Sequence, residues 1–202
     1  MKAVGLVLAG GQSRRMGGRD KSLLLLGGTS LLERVIERLR PQVDALVLNA
    51  NGDPKRFEKF GLPVVSDSVP DFAGPLAGVL AGLDWAAEHR PDCPFIVSVA
   101  TDAPFFPANL VSHLFAVLGS EGADMACAAS AGRSHPVFGL WPVRLRDDLR
   151  HAVLEEGVRK VDQWTARYRL ATAVFSDRPV DPFFNTNRPE DLELAVELLT
   201  KL

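Results

Sequence analysis

Leu6–Lys21 reads LVLAGGQSRRMGGRDK, and its reading sets the frame for the rest of the chain. It begins inside Val4–Leu8, a short uncharged apolar run bounded by glycine, which predicts a buried strand. The run ends at Gly10 and Gly11, where the absence of a Cβ lets a backbone turn sharply and approach a ligand closely. Arg14, Arg15, Arg19 and Lys21 follow within a few residues. Cations crowded behind a glycine turn suit a polyanion such as a nucleoside triphosphate, with backbone N–H groups cradling phosphate oxygens while Arg and Lys neutralise them. The plain alternative is a glycine turn with a solvated basic loop behind it. Two named phosphate motifs are excluded. A Walker A loop has Gly directly before its Lys, where Asp20 stands here, and the dinucleotide fingerprint needs glycines at alternate positions, which Gly10-Gly11-Gln12 does not offer.

A chain of 202 residues, 47% hydrophobic and 24% charged, has the length and composition of one globular domain with a sizeable core. Its net charge of −2 gives no global reason to expect nucleic acid or an acidic membrane as partner, so an anion site must be local. Cys93 and Cys127 form no C-x-x-C pair, and neither a disulfide framework nor a zinc site is indicated. A reducing, cytoplasmic location is the resulting expectation, with no signal-peptide layout at the N-terminus and no apolar run long enough to span a bilayer.

Beyond Lys21, Ser30 with Glu33 reads as a capping box opening a helix to about Arg40, where Pro41 ends it. Strands are expected at Ala45–Leu48, Leu62–Ser66, Phe95–Ala100, Ala123–Ala129, Pro136–Trp141 and Leu170–Phe175. Helices are expected at Leu76–His89, Asn109–Leu118, Leu145–Glu156, Lys160–Ala166 and Pro189–Leu199, with a solvated helix around Lys55–Lys59. Uncharged strands alternating with amphipathic helices predict a single Rossmann-like α/β domain, its sheet mostly parallel and covered by helices on both faces. No internal repeat or linker interrupts it.

In such sheets ligands bind beyond the carboxyl ends of the strands, near the point where strand order reverses. The glycine loop, Asn49, Asp67 and Asp102 each follow an expected strand, so they are predicted to converge on one edge. Asp102, directly after a buried strand and ahead of Pro104, suits Mg²⁺, which takes one or two carboxylates plus phosphate oxygens and water. It equally suits capping of the turn that follows. Asp67 and Asn49 can read a base or ribose, or satisfy backbone groups in their own loops. Asn187 is placed to N-cap the last helix with Glu190 completing a capping box, and His135 shows no partner for general-base work. No Ser-His-Asp or Cys-His constellation is evident, but chemistry on a bound nucleoside triphosphate needs mainly positioning and charge neutralisation.

Leu8, Ala9, Gly10, Gly11, Ser13, Arg15, Met16, Gly17 and Lys21 resemble the signature L-A-G-G-x-S-x-R-M-G-x-x-K of the nucleotidyltransferases that make nucleoside-diphosphate derivatives from NTPs, with one extra residue before the lysine. With the VLNAN strand end at Asn49, Ser66-Asp67-Ser68, Gly74-Pro75-Leu76-Ala77-Gly78, Thr101-Asp102-Ala103-Pro104, His135-Pro136 and Phe184-Asn185-Thr186-Asn187, the chain resembles the molybdenum cofactor guanylyltransferases, the MobA family. The resemblance implies a nucleotide-diphospho-sugar transferase-like fold and transfer of GMP from GTP to molybdenum-bearing molybdopterin, releasing pyrophosphate, with Mg²⁺ as cofactor. It also implies an NTP-binding part to about residue 105 and an acceptor part beyond it. Leu8, Ala9, Gly10, Gly11 and Lys21 would hold the phosphates, with Arg15 adding charge neutralisation. Asn49 and Asp67 would contact the nucleoside, and Asp102 would bind the metal. His135, Asn185 and Asn187 would face the pterin. Cofactor-biosynthesis or molybdoenzyme-maturation proteins are the implied protein partners.

Two alternatives remain open from residues alone: a transferase of this fold using CTP or another phosphorylated acceptor, and a non-catalytic module that binds nucleotide or cofactor for delivery. Base choice is a small set of hydrogen bonds. A nicotinamide oxidoreductase is disfavoured by the glycine spacing.

Overall fold

Val4 and Leu6 point to one face of the first strand and Ala3 and Val7 to the other, and all four are buried, as a strand covered on both sides requires. In the computed structural model, which describes residues 1–10, 20–69 and 74–200, this strand is β1, Ala3–Leu8, near the middle of a seven-stranded sheet. In chain order there follow β2 (Leu25–Leu26) and β3 (Thr29–Ser30), a separate hairpin, then β4 (Ala45–Asn49), β5 (Val64–Val65) and β6 (Phe95–Ala100). β7 (Met125–Ser130), β8 (Arg133–Pro142) and β9 (Leu170–Phe175) complete the set. The large sheet has the order β5-β4-β1-β6-β8-β7-β9. β8 runs antiparallel to both β6 and β7, and every other neighbouring pair is parallel.

The helices are α1 (Leu31–Leu39), α2 (Pro75–His89), α3 (Leu110–Glu121), α4 (Arg146–Leu154), α5 (Val161–Thr165) and α6 (Pro189–Leu199). α1 and α3 pack with Val7, Val97 and Ala126 on one face, while α2, α4 and α5 pack with Leu6, Ile96 and Trp141 on the other. The expected architecture is thus present. α1 starts where Ser30 Oγ accepts from the Glu33 N–H at 3.2 Å, and it buries Leu31, Leu32, Val35, Ile36 and Leu39, each worth roughly 1.5–3 kcal/mol. Among the described residues no helix is long and apolar enough to cross a membrane.

Several local expectations are corrected. The segment at Lys55–Lys59 is a 3-10 helix, Pro54–Phe60, anchored by the buried Phe57 rather than wholly solvated. The strand expected over Leu62–Ser66 is only Val64–Val65, since Pro63 has no N–H for the ladder, though its carbonyl accepts from Leu48 N at 2.9 Å. The β2–β3 hairpin was not anticipated. Gly27 and Gly28, at φ of +59° and +85°, form its turn, and two positive φ values in a row are what a two-residue hairpin loop demands.

After β1 the chain passes to β4 on one side and later to β6 on the other, so strand order reverses around β1. The crevice that such a reversal opens lies between the segments following β1 and β6.

Candidate active site

Leu8, Ala9 and Gly10 leave the carboxyl end of β1 pinned on both sides. The Ala9 N–H donates to the Asn49 carbonyl at 2.9 Å, and the Thr101 N–H donates to the Leu8 carbonyl at 3.3 Å. Gly10 is exposed at the edge. Gly11, Ser13, Arg15, Met16, Gly17 and the other loop cations Arg14 and Arg19 lie outside the described residues. The chain returns at Asp20, whose carboxylate accepts from the N–H and hydroxyl of Ser22 at 3.1 and 2.6 Å and pairs with Arg56 Nε at 3.1 Å. Asp20 thereby caps the 3-10 turn Lys21–Leu23 and fixes where Lys21 starts.

Asn49 closes β4 and is buried to 3% exposure, which a primary amide tolerates only with its polar atoms paired. Its Nδ2 donates to the Asp67 carboxylate at 3.0 Å and to the Val65 carbonyl at 3.3 Å. Asn51 completes the clasp: its Nδ2 donates to Asp67 Oδ2 at 2.7 Å and its Oδ1 accepts from the Asp67 N–H at 2.9 Å. Asp67 is held by two amides, so its carboxylate direction is set before any ligand arrives. Helix α2 shapes the other side, because a Cβ at Gly78 would sit 2.4 Å from Asn49 Oδ1 and 2.7 Å from Leu8 Cδ2. Only a glycine lets α2 close on this pair.

Asp102 follows β6 on the far side of the crevice. Its carbonyl accepts from both the N–H and the hydroxyl of Thr186, at 2.8 and 3.1 Å, and Thr186 is fully buried. That pair of hydrogen bonds docks the segment before α6 against the end of β6. Asn185 and Asn187 lie exposed on either side of the buried Thr186. Lys21 Nζ bridges the two segments, donating to Asp102 Oδ2 at 3.1 Å and to Asn187 Oδ1 at 2.7 Å. Three residues far apart in sequence thus meet through one ammonium group.

The expectation that Asn187 caps the last helix is overturned. Arg188 is the N-cap residue of α6, and the Asp191 carboxylate accepts from the backbone N–H groups of Asn187 and Arg188 at 2.9 and 2.8 Å. Asp191 serves the helix start, which leaves the Asn187 amide for Lys21.

His135 also has a partner that the sequence did not reveal. It lies in β8, where its Nε2 is 2.7 Å from Ser130 Oγ, the residue that ends β7, and its ring stacks on Phe183 at 4.5 Å. Ser130 Oγ in turn lies 2.7 Å from Asp181 Oδ1, which also accepts from the Phe183 N–H at 3.0 Å. Burial lowers the His135 pKa, opposed by the nearby Asp181 carboxylate and assisted by Arg133. The order His-Ser-Asp puts the hydroxyl in the middle, unlike a nucleophilic triad, in which the imidazole stands between hydroxyl and carboxylate. A break in β7–β8 pairing between Cys127 and Ala128 coincides with Pro136, which has no N–H to offer.

Asn51, Gly78, Ser130, Asp181 and Thr186 are the contributors that sequence reading did not single out with these roles. The signals available were slight: Asn51 stands two residues after Asn49, and Asp181 precedes Pro182 as turn-forming carboxylates do.

The family described as MobA-like NTP transferase domain matches residues 5–171. A molybdenum cofactor guanylyltransferase of Bradyrhizobium sp. (strain ORS 278) is 58% identical over 194 residues, covering 96% of this chain and 92% of the relative. One of Nitrobacter hamburgensis is 54% identical, covering 96% and 93%. The crystal structure of molybdopterin-guanine dinucleotide biosynthesis protein A from Archaeoglobus fulgidus superposes with a TM-score of 0.75 at 26% identity, covering 98% of this chain and all of that one. With these likenesses running through the glycine loop, the β4 and β6 ends and the segment before α6, the chain belongs to the MobA-like NTP transferases and, within them, to the molybdenum cofactor guanylyltransferases.

Proposed function

We propose that this chain transfers GMP from GTP to the terminal phosphate of molybdenum-bearing molybdopterin, releasing pyrophosphate. The observation that carries the reading is the convergence of Lys21, Asp102 and Asn187 at the strand edge that also presents Asn49 and Asp67. The names of the relatives supply the base and the acceptor. The part up to about residue 105 takes the nucleotide and the remainder takes the acceptor, as the crevice around β1 and the far half of the sheet divide the edge.

In this assignment the backbone of Leu8, Ala9, Gly10 and Gly11 with Lys21 holds the triphosphate, and Arg15 adds charge neutralisation. Asn49 and Asp67 contact the nucleoside. His135, Asn185 and Asn187 line the acceptor side. An oxygen of the acceptor phosphate attacks the α-phosphorus in line, the bond from that phosphorus to the β-bridging oxygen breaks, and pyrophosphate leaves. Lys21 is placed to neutralise the charge that develops on the phosphoryl oxygens, where a fixed cation does most of its work in the transition state.

The donor set fits Mg²⁺. Among the described residues no group of three or more His, Cys, Asp or Glu gathers, so a protein-built metal cage is not what this edge offers. Asp102 Oδ2 and Asn187 Oδ1 instead share one cation, the Lys21 ammonium, and a single carboxylate with an amide oxygen is the sparse set that Mg²⁺ accepts when substrate phosphates complete its shell. Asp102 and Asn187 would hold the ion, which when bound supplies Lewis-acid neutralisation of the phosphates.

Calorimetric titration with GTP, CTP, ATP and UTP, each with and without Mg²⁺, tests the reading. Selective, Mg²⁺-dependent GTP binding is expected. Preference for CTP would move the activity to cytidylyl transfer, and no nucleotide binding would overturn the assignment of the glycine loop.

A further inference from the structure

The reversed strand β8 carries its beginning to the same edge at which the parallel strands end. Ser98 of β6 pairs with Gly139, so residues earlier in β8 lie level with the end of β6 and with Asp102. Ser130 ends β7, and Asp181 belongs to the segment that continues from β9 to Thr186, which is bonded to Asp102. His135, Ser130 and Asp181 therefore stand on the far half of the edge, contiguous with the Lys21–Asp102–Asn187 group.

The protons in this chain of hydrogen bonds can be assigned by counting. A carboxylate only accepts, and Asp181 Oδ1 lies 2.7 Å from Ser130 Oγ, so the single hydroxyl proton of Ser130 points to Asp181. The 2.7 Å contact between Ser130 Oγ and His135 Nε2 then needs its proton from the ring. Neutral His135 consequently carries hydrogen on Nε2 and a lone pair on Nδ1. Among the described residues none makes a hydrogen bond to Nδ1. Stacking on Phe183, which is itself fixed through the N–H bonded to Asp181, sets the plane of the ring.

We propose that Ser130 and Asp181 are positioning residues that lock His135 as the Nε2–H tautomer, so that Nδ1 accepts a hydrogen bond from a ring N–H or amine donor of the heterocyclic acceptor substrate. The proposal rests on the functional reading above, which places the acceptor on this half of the edge. It assigns His135 to recognition and not to proton abstraction, since an ionised phosphate nucleophile needs no base. The hydroxyl is the relay: without it the carboxylate cannot dictate which nitrogen holds the proton.

The test combines NMR with kinetics. In protein labelled with ¹⁵N-histidine, long-range ¹H–¹⁵N correlations report which nitrogen of His135 is protonated. Wild type is expected to show Nε2–H, with the Nδ1 resonance moving when molybdopterin is added. Ser130→Ala is expected to give a mixture of tautomers and to raise KM for the acceptor about tenfold, with KM for GTP unchanged, and Ser130→Thr, which keeps the hydroxyl, is expected to restore both. Unchanged GTP affinity shows that the fold survives. An Nδ1–H tautomer in wild type, or wild-type His135 signals in Ser130→Ala, would overturn the relay. Expected tautomers with an unaltered acceptor KM in Ser130→Ala would overturn the recognition role. Absence of GMP transfer by the wild-type protein, with His135 still as Nε2–H, would instead strike the functional reading on which the proposal stands.

Discussion

Replacing Gly78 by Ala tests the proposed nucleotide site apart from the core around it. The new Cβ would lie 2.4 Å from Asn49 Oδ1 and 3.1 Å from Asn49 Cγ. Ordinary van der Waals contact begins at 3.4 Å, so the amide must recede by about 1 Å. Asn49 is buried and cannot move that far while keeping its bonds of 3.0 Å to Asp67 and 3.3 Å to Val65. Overpacking costs about 1–3 kcal/mol, and the helix propensity of Ala over Gly returns about 1 kcal/mol, so stability falls by about 0–2 kcal/mol, or up to about 8 °C in Tm. Affinity suffers more distinctly. A misdirected Asp67 forfeits a hydrogen bond to a charged group, worth about 1.5–3 kcal/mol, which is roughly a 10- to 150-fold loss in GTP binding. Gly82→Ala is the control, because its Cβ would meet Leu6 Cδ2 at 2.6 Å on the same helix but away from the edge. It should lower Tm comparably and leave the Kd for GTP within about twofold, as a purely packing change does. Differential calorimetry and GTP titration of both variants read the two effects. Wild-type GTP affinity in Gly78→Ala, or equal affinity losses in the two variants, would refute the assignment of Asn49 and Asp67 to the nucleoside.

Asp102→Asn keeps the shape of the side chain but removes its charge, and it should lower kcat by about 10²-fold or more while the thermal midpoint stays near wild type; turnover within a few-fold of wild type would remove Asp102 from the metal site. Ala131 sits at φ +48° beside Gly132 at +72° in the β7–β8 turn, a backbone that Asn or Gly adopts at lower cost. Ala131→Gly or Ala131→Asn should therefore raise Tm by about 2–4 °C without changing GTP affinity, and no gain in melting experiments would contradict the strain. Acid should act through His135. Its folded pKa is held below the ordinary value of about 6.5 by burial, so between the two values the unfolded chain binds the extra proton and stability falls as pH falls. A Tm measured from about pH 7 to about pH 5 should drop less steeply in His135→Gln than in wild type, and parallel curves would show that His135 does not titrate in this way.

The sheet and the meeting of the β1, β4 and β6 ends at one edge were legible in the sequence, because both are written in local patterns. Val4–Leu8 is an uncharged run closed by glycines, Ala45–Leu48 and Phe95–Ala100 are uncharged runs closed by polar residues, and a parallel sheet leaves these closing residues at one edge whatever the details of packing. Gly27-Gly28 carries the local signal of a hairpin turn, set among leucines on either side. The bond that joins Lys21 to Asn187 was not readable. It spans 166 residues of sequence and depends on Thr186 docking on the Asp102 carbonyl, a contact made by backbone. Asn187 and Glu190 mimicked a capping box because the spacing was right, yet Asp191, one residue later, reaches the same N–H groups.

The reversal of one strand accounts for the other thing the pattern concealed. Periodicity reports that Pro136–Trp141 is a strand but not its direction, and a reading based on parallel strands looks for chemistry only where strands end. In β8 the informative end is the beginning. Had β8 run parallel to β6, His135 would lie at the opposite edge, and the two-residue turn after Ser130 would have been impossible, since parallel neighbours need a long crossover. The antiparallel hairpin brings the end of β7 and the start of β8 to one place at the cost of two positive φ values, at Ala131 and Gly132. In the proposed function, this is what lets a second substrate be met beside the first without an added domain. For chains of this architecture, the residues to inspect are those that end the parallel strands together with those that open the reversed one.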